Sequence, residues 1–343
     1  MYSIQFKNNQ LFYLDQSKLP SREVWLKCRN LKQGYQAIKS LAVRGAPLIG
    51  VFAAYCIVVH LKNLPLKKKA FFKAFSKALS YLKSCRPTAV NLSWSLKRLA
   101  AKAYSNKDKN LSQIKLAITS EAEAIHKEDI LLCQKMADYG YKLIKRKDNI
   151  LTHCNSGFLA TSGEGTALGV IYKAAQVYKD IRVYVDETRP LLQGSRLSAW
   201  ELTKKKIPVT IICDSTAAYL MRHKKIDKIF VGADRIAANG DVANKIGTCN
   251  LAVIARYHRI PFYVVAPFSS FDLSLRSGKD IPIEERNPEE VRKILAKVYL
   301  APKTISVRNP AFDITPHKLV TAIVSDKGII YPPFAKNIKK ILK

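Results

Sequence analysis

Ile150-Leu-Thr-His-Cys-Asn-Ser-Gly157, followed by Ser162-Gly-Glu-Gly-Thr166 and Gly169, reads as an apolar strand that runs into a glycine-rich turn and then a helix. The same texture repeats downstream. Short apolar runs at 181–185, 209–213, 228–231 and 262–266 alternate with helical segments, the pattern of a parallel α/β sheet. Ligands of such sheets bind outside the carboxyl ends of the strands. Here those ends carry polar groups: His153-Cys154-Asn155, Asp186-Glu187-Thr188-Arg189, Asp214 and Ala233-Asp234-Arg235.

Upstream the texture is different. Segments 70–84 and 90–104 carry apolar residues at three- and four-residue spacing and are separated by the breaker Arg86-Pro87-Thr88. Segment 111–145 contains no proline and predicts a long helix leading out of this region. The opening Met1-Tyr-Ser-Ile-Gln-Phe-Lys7 alternates like a strand and lacks the basic head and apolar body of a secretory signal. At 343 residues the chain exceeds what one core usually serves. The expected fold is therefore α/β: an N-terminal, mostly helical domain over 1–146, followed by a parallel-sheet domain over 147–343.

Composition narrows the function. The longest uncharged apolar run, 48–59, is short for a bilayer and begins just after Pro47, so no membrane segment is expected and the protein is placed in the cytoplasm. The formal charge of +32 would attract polyanions at low salt. Its lysines, however, are spread over helical faces (67–69, 204–206, 224–225, 339–340) without an aromatic-interleaved groove, so specific nucleic-acid binding is not expected. Seven scattered cysteines form neither Cys-x-x-Cys pairs nor clusters with histidine, which implies no metal and no disulfide framework. Six of them read as small core residues. Cys154 is the exception, because it stands at a strand end.

Three constellations carry chemistry. The glycines after residue 154 could bring backbone N–H groups to a phosphate at a helix N-terminus, or could be a structural turn. Their spacing does not fit G-x-G-x-x-G, which disfavours a dinucleotide. In Asp186-Glu-Thr-Arg-Pro-Leu-Leu-Gln-Gly-Ser-Arg196 the charges read as an ion-pair lattice, with Arg189 and Arg196 structural and Gln193 assigned to a ligand hydroxyl. In Phe230-Val-Gly-Ala-Asp234 an acid follows an apolar strand directly, where desolvation favours its protonated form and suits a general acid. A helix cap is the plainer role for such an Asp, and Asp241 is an alternative acid. Asn244 and Lys245, expected on the helix that follows, offer donors to oxygen and phosphate. Val43-Arg44-Gly45-Ala46-Pro47 and Arg86-Pro87-Thr88 place arginines in tight turns, and with Lys245 they suggest a phosphate clamp.

These residues together resemble the methylthioribose-1-phosphate isomerases, relatives of the regulatory subunits of a eukaryotic translation-initiation exchange factor. The runs that carry the resemblance are Val43-Arg-Gly-Ala-Pro-Leu-Ile-Gly50, Arg86-Pro-Thr-Ala-Val-Asn-Leu92, Leu151-Thr-His-Cys-Asn-Ser-Gly157, 186–202, 231–248 and Asn309-Pro-Ala-Phe-Asp-Ile-Thr-Pro316, nearly the whole chain in order. The resemblance implies a Rossmann-like C-terminal domain, a homodimer and a step of methionine salvage on a sugar phosphate, without metal or cofactor. It implies Asp234 and Cys154 as the catalytic pair, with Arg44, Gly45, Ala46, Arg86, Gln193, Asn244 and Lys245 holding substrate. Departures at Ser156, Ser195 and Cys249 are peripheral. The competing expectations are an isomerase of 5-deoxyribose 1-phosphate or ribose 1,5-bisphosphate, and a non-catalytic regulatory subunit of the exchange-factor type.

Overall fold

A computed structural model describes residues 2–86, 89–295 and 298–341. Pro87 and Thr88 of the expected breaker lie outside the described residues. The chain divides into two compact units, one of Met1–Leu132 with Phe158–Glu164, the other of Cys133–Gly157 with Gly165–Lys343.

The first unit opens with strands β1 (Ile4–Lys7), β2 (Gln10–Leu14) and β3 (Trp25–Cys28), an antiparallel sheet in that order. Helices α1 (Leu31–Lys39), α2 (Ala46–His60), α3 (Lys68–Lys83), α4 (Val90–Ser105) and the start of α5 (Leu111–Gly140) follow. The α5 helix stops five residues before the expected 145 and closes in a 3-10 turn, Tyr141–Leu143. The apolar run begun at Leu48 is the centre of this unit. Every residue from Leu48 to Val59 is buried, as expected for a helix that is apolar on all sides and packed inside a core. With its neighbours to Asn63 the run is long and apolar enough to cross a membrane, yet most of it is buried within the unit.

Gly45 starts α2 at φ +97°, and a Cβ there would lie 2.4 Å from the Ala160 Cα, so the tight turn at 43–47 demands glycine. Residues 158–164 belong here because the Gln16 amide donates to Leu159 O and the Leu48 N–H to Ala160 O. Val43 and Leu48 are core residues, and Trp94 packs against the same core with Arg98 stacked 4.8 Å over its ring.

The second unit contains β4 (Asn149–Thr152), α6 (Ala167–Val177), β5 (Arg182–Asp186), α7 (Ala199–Lys204), β6 (Val209–Ile212), α8 (Thr216–Arg222) and β7 (Lys228–Val231). Next come β8 (Arg235–Ala237), β9 (Val242–Lys245), α9 (Thr248–Tyr257), β10 (Phe262–Val265), β11 (Phe271–Asp272), α10 (Glu289–Arg292), β12 (Lys293–Ile294) and β13 (Val298–Tyr299). It ends with β14 (Phe312–Thr315), β15 (Ala322–Ser325), β16 (Gly328–Ile330) and α11 (Phe334–Ile341).

Seven strands form one sheet in the order β6-β5-β4-β7-β10-β15-β16, all parallel except β16. The chain thus builds outward from β4 through β5 to β6, then returns to the other side of β4 with β7. That reversal is the topological switch point of a doubly wound sheet, where the connections on either side leave opposite faces and open a crevice at the strand ends. Cys154 lies two residues beyond β4 and Asp234 three beyond β7, the two strands that flank it.

One expectation fails locally. Asn244 and Lys245 are on a strand, β9, not on a helix. Asn239-Gly240 turns the chain, with Gly240 at φ +90°, so that β9 pairs back on β8 and then with β14 in a smaller sheet ordered β11-β8-β9-β14. The helix begins only at Thr248, after Gly247 at φ +102°.

Candidate active site

The second unit holds five of the expected site residues: Cys154 and Asp234 beyond the ends of β4 and β7, Gln193 in the loop after β5, and Asn244 and Lys245 on β9 of the smaller sheet. Cys154 leaves β4 in the left-handed region, φ +61°, and Thr188 leaves β5 at φ +66°, an unfavourable conformation for a β-branched residue. Hydrogen bonds hold both. The Cys154 N–H donates to Thr188 Oγ1 at 2.9 Å, whose hydroxyl donates to Asp186 O at 3.0 Å. The Thr188 and Arg189 N–H groups donate to the two carboxylate oxygens of Asp214, at 2.7 and 2.8 Å. Ser198 Oγ donates to the Cys154 carbonyl at 2.6 Å. The backbone of residue 154 is thereby fixed on both sides while its thiol stays half-buried.

Behind Cys154 lies a polar network that sequence alone did not reveal. Asn155 Nδ2 donates to Glu201 Oε1 and the Tyr172 hydroxyl to Glu201 Oε2, each at 2.7 Å, and Glu201 is wholly buried. A Cβ on Gly157 would stand 1.9 Å from Glu201 Oε2, and one on Gly165 would stand 2.5 Å from the Gly157 Cα. Close packing therefore accounts for these two glycines, with no need of a phosphate. The only trace of Glu201 in the sequence is an acid set between Trp200 and Leu202 in an otherwise apolar stretch.

Gln193 is buried and its Oε1 has no hydrogen-bond partner. An acceptor left that way costs about 1–3 kcal/mol, which a hydroxyl donor would recover. Arg189 donates to Pro190 O and Val291 O and Arg196 to Leu191 O, contacts that brace the loop around Gln193. The expected ion-pair lattice is not what holds Asp186. That carboxylate pairs with His153 instead, Oδ2 to Nδ1 at 2.9 Å, both groups being buried.

Asp234 is half-buried, and its N–H donates to Ala243 O, which ties the end of β7 to β9. The neighbouring Gly232 faces Ser156, where a Cβ would come within 3.2 Å of the Ser156 Cβ, so the chains leaving β4 and β7 touch. Asn244 Nδ2 donates to Thr248 Oγ1, which in turn donates to Lys245 O. The buried Lys245 ammonium donates to Ala311 O at 2.8 Å and stands over the Phe312 ring. Arg44, Gly45, Ala46 and Arg86 belong to the first unit. Arg44 to Ala46 form the turn into α2, and Arg86 follows α3; both arginines are half-buried.

His153, Asp186 and Asp214 present ligand atoms within 4.8 Å of one another. Hydrogen bonds already use most of them. Both ring nitrogens of His153 are engaged, Nδ1 by Asp186 and Nε2 by Ile246 O, and both oxygens of Asp214 receive backbone N–H groups. A cation ligated by His153 would have to break one of its two bonds, so the group reads as a hydrogen-bonded brace.

This unit is a doubly wound α/β sheet whose switch point carries a thiol and a carboxyl beyond adjoining strand ends. Residues 42–332 match the Initiation factor 2 subunit family, and the chain belongs to that family. The methylthioribose-1-phosphate isomerase of Thermoanaerobacter sp. (strain X514) is 52% identical over 340 residues, covering 99% of this chain and 98% of that protein. A Clostridium botulinum protein (strain Hall) named 5-deoxyribose 1-phosphate isomerase is 48% identical over 346 residues, covering 100% and 99%. Among solved structures, 5-methylthioribose 1-phosphate isomerase from Pyrococcus horikoshii OT3 superposes with a TM-score of 0.92 at 44% identity, over 99% of this chain and 95% of that one. The A. fulgidus structure titled translation initiation factor eIF-2B, subunit delta, gives 0.88 at 42% identity, over 100% and 99%.

Proposed function

We propose that this chain is an aldose–ketose isomerase that converts 5-methylthioribose 1-phosphate to 5-methylthioribulose 1-phosphate, a step of methionine salvage. The observation that carries this reading is the position of Cys154 and Asp234 beyond the ends of β4 and β7, the strands on either side of the switch point. A non-catalytic regulatory subunit would need neither group. The relatives named as isomerases, matched over nearly their whole length, support the same conclusion.

The chemistry asks for such a pair. The anomeric oxygen of a sugar 1-phosphate is esterified, so the ring cannot open by losing a proton there and must break at C1–O4. Asp234 is the general acid that protonates the departing ring oxygen. Hydrogen then passes from C2 to C1, either as a proton shuttled by Cys154 through an enol-type intermediate or as a hydride while Cys154 manages the C2 hydroxyl. In the first route C2 gives up a proton and the C–H electron pair passes toward the electron-poor C1. In the second that pair moves with the hydrogen to C1 and the C2 hydroxyl gives up its proton. Both gain from exclusion of water. By the family resemblance, substrate binding is assigned to Arg44, Gly45, Ala46, Arg86, Gln193, Asn244 and Lys245. The unpartnered Gln193 Oε1 supports a hydroxyl contact there.

The sugar is inferred by counting cations. Beyond Arg44, Arg86 and Lys245 the basic residues of the matched motifs are Arg189, Arg196 and Arg235. These bond to loop carbonyls and to Asp272, so no basic pair is dedicated to a second phosphate at C5. Loss of an apolar C5 group should cost only about 1–3 kcal/mol, whereas a phosphate without cations should be strongly rejected. The expected order of kcat/KM is 5-methylthioribose 1-phosphate first, 5-deoxyribose 1-phosphate within roughly 10–200-fold, and ribose 1,5-bisphosphate far behind. Should the bisphosphate turn over best, the substrate assignment is wrong.

A cytoplasmic homodimer completes the proposal. Tyr219 on α8 and Val253 and Tyr257 on α9 are exposed apolar side chains of the kind a dimer covers. A single-chain mass in sedimentation equilibrium would count against it. No specific nucleic-acid partner and no membrane association are assigned.

A further inference from the structure

We propose that His153, fixed as an imidazolium between Asp186 and the Ile246 carbonyl, is a positioning residue of the isomerisation, aligning the Cys154 and Lys245 segments and keeping positive charge beside the thiol. The role rests on the isomerase reading above. Its geometry is built from three sides. Nε2 must carry hydrogen, because at 2.9 Å it faces the Ile246 carbonyl, which can only accept. Nδ1 lies 2.9 Å from Asp186 Oδ2, and with hydrogen on both ring nitrogens this contact is a charge-assisted donation to the carboxylate. The ring edge lies on Gly247, where a Cβ would stand 2.9 Å from His153 Cε1, and that glycine is held in turn by its N–H to Asp313 Oδ2 at 2.8 Å.

The consequence is a bridge across the crevice within this unit. Residue 153 precedes the thiol-bearing residue at the end of β4, and residue 246 follows Lys245 at the end of β9. A shift of the ring therefore moves both ends. Burial opposes the charged ring, but the Asp186 bond and charge, with smaller help from Cys154 and the Ile246 carbonyl, push His153 up to about 9. The other ionisable groups that bear on the pair are Cys154 on its own chain, Glu187 beyond β5, Asp214 after β6 and Asp313 on β14. Positive charge held beside Cys154 favours the thiolate, the form of the side chain that can take up a proton.

The test compares wild-type protein with His153→Gln, which retains an N–H for Ile246 but no charge, and with Asp186→Asn. For His153→Gln, kcat on 5-methylthioribose 1-phosphate should fall about 100-fold with KM within about threefold. Wild-type kcat should decline as pH rises through about 9, where the imidazolium is lost, and the variant should lack that limb. Imidazole ¹⁵N NMR, which needs no substrate, should find both His153 nitrogens protonated at pH 7.5 in wild type and only one in Asp186→Asn. That reading holds even if one variant folds poorly. Normal kcat in His153→Gln, or a singly protonated ring in the wild type, overturns the positioning role alone. A wild-type protein that turns over none of the three sugars overturns the activity, and the role with it.

Discussion

Asp234→Asn and Cys154→Ser are each expected to lower kcat on the order of 10³-fold or more while substrate still binds, because each side chain acts mainly in the transition state. The surroundings make this a clean experiment. What holds residue 154 is its backbone: the N–H on Thr188, the carbonyl under Ser198 and the left-handed φ. Exchanging sulfur for oxygen leaves all of these in place. The Asp234 N–H bond to Ala243 O is likewise kept in Asp234→Asn, which preserves the size of the side chain. Both exchanges are nearly isosteric, and a melting temperature close to wild type in each variant makes lost turnover a report on chemistry. A kcat within tenfold of wild type in either variant would remove that residue from the catalytic pair.

The largest stability effect is expected from Gly194→Ala. The added Cβ would stand 1.7 Å from the Asp186 carbonyl oxygen and 2.9 Å from Thr188 Oγ1, and the nearer of these is backbone in a buried strand end. Neither atom is the tip of a flexible side chain, so the turn Gly194–Ser198 must move as a whole. It would carry Gln193 and Ser198 with it, and Ser198 supports the Cys154 carbonyl. Overpacking of this severity costs about 3 kcal/mol, which lowers the Tm of a unit this size by roughly 6–12 °C. Activity should fall along with stability. A Tm within about 2 °C of wild type would mean that the loop yields without strain.

The strands of the large sheet were legible because parallel strands buried on both faces are short apolar runs with polar ends, and β7 coincides with the run at 228–231. Their order was not legible. Nothing in local periodicity says that β7 returns to β4 and not to β6, yet that return creates the switch point beside Cys154. Asn244 and Lys245 lie on a strand and not on the expected helix because Asn239-Gly240 is a hairpin signal that turns the chain back on β8. Of the sheet at 4–28 only the opening strand is legible, since Leu11-Phe-Tyr-Leu14 is a continuous apolar run that does not alternate. His153 was visible at a strand end, but its partners Asp186 and Ile246 are 33 and 93 residues away. Pairings over such distances are set by tertiary structure, and so is the burial of Glu201 under Asn155 and Tyr172.

The central claim is the reaction itself, and ¹³C NMR of 5-methylthioribose 1-phosphate labelled at C2, incubated with the purified chain, tests it most directly. The C2 resonance should move from the secondary-alcohol region to that of a ketone carbonyl, at a rate that depends on Asp234 and Cys154. An unchanged C2 resonance over many hours with folded protein, or conversion that persists undiminished in the Asp234→Asn and Cys154→Ser variants, would contradict the account.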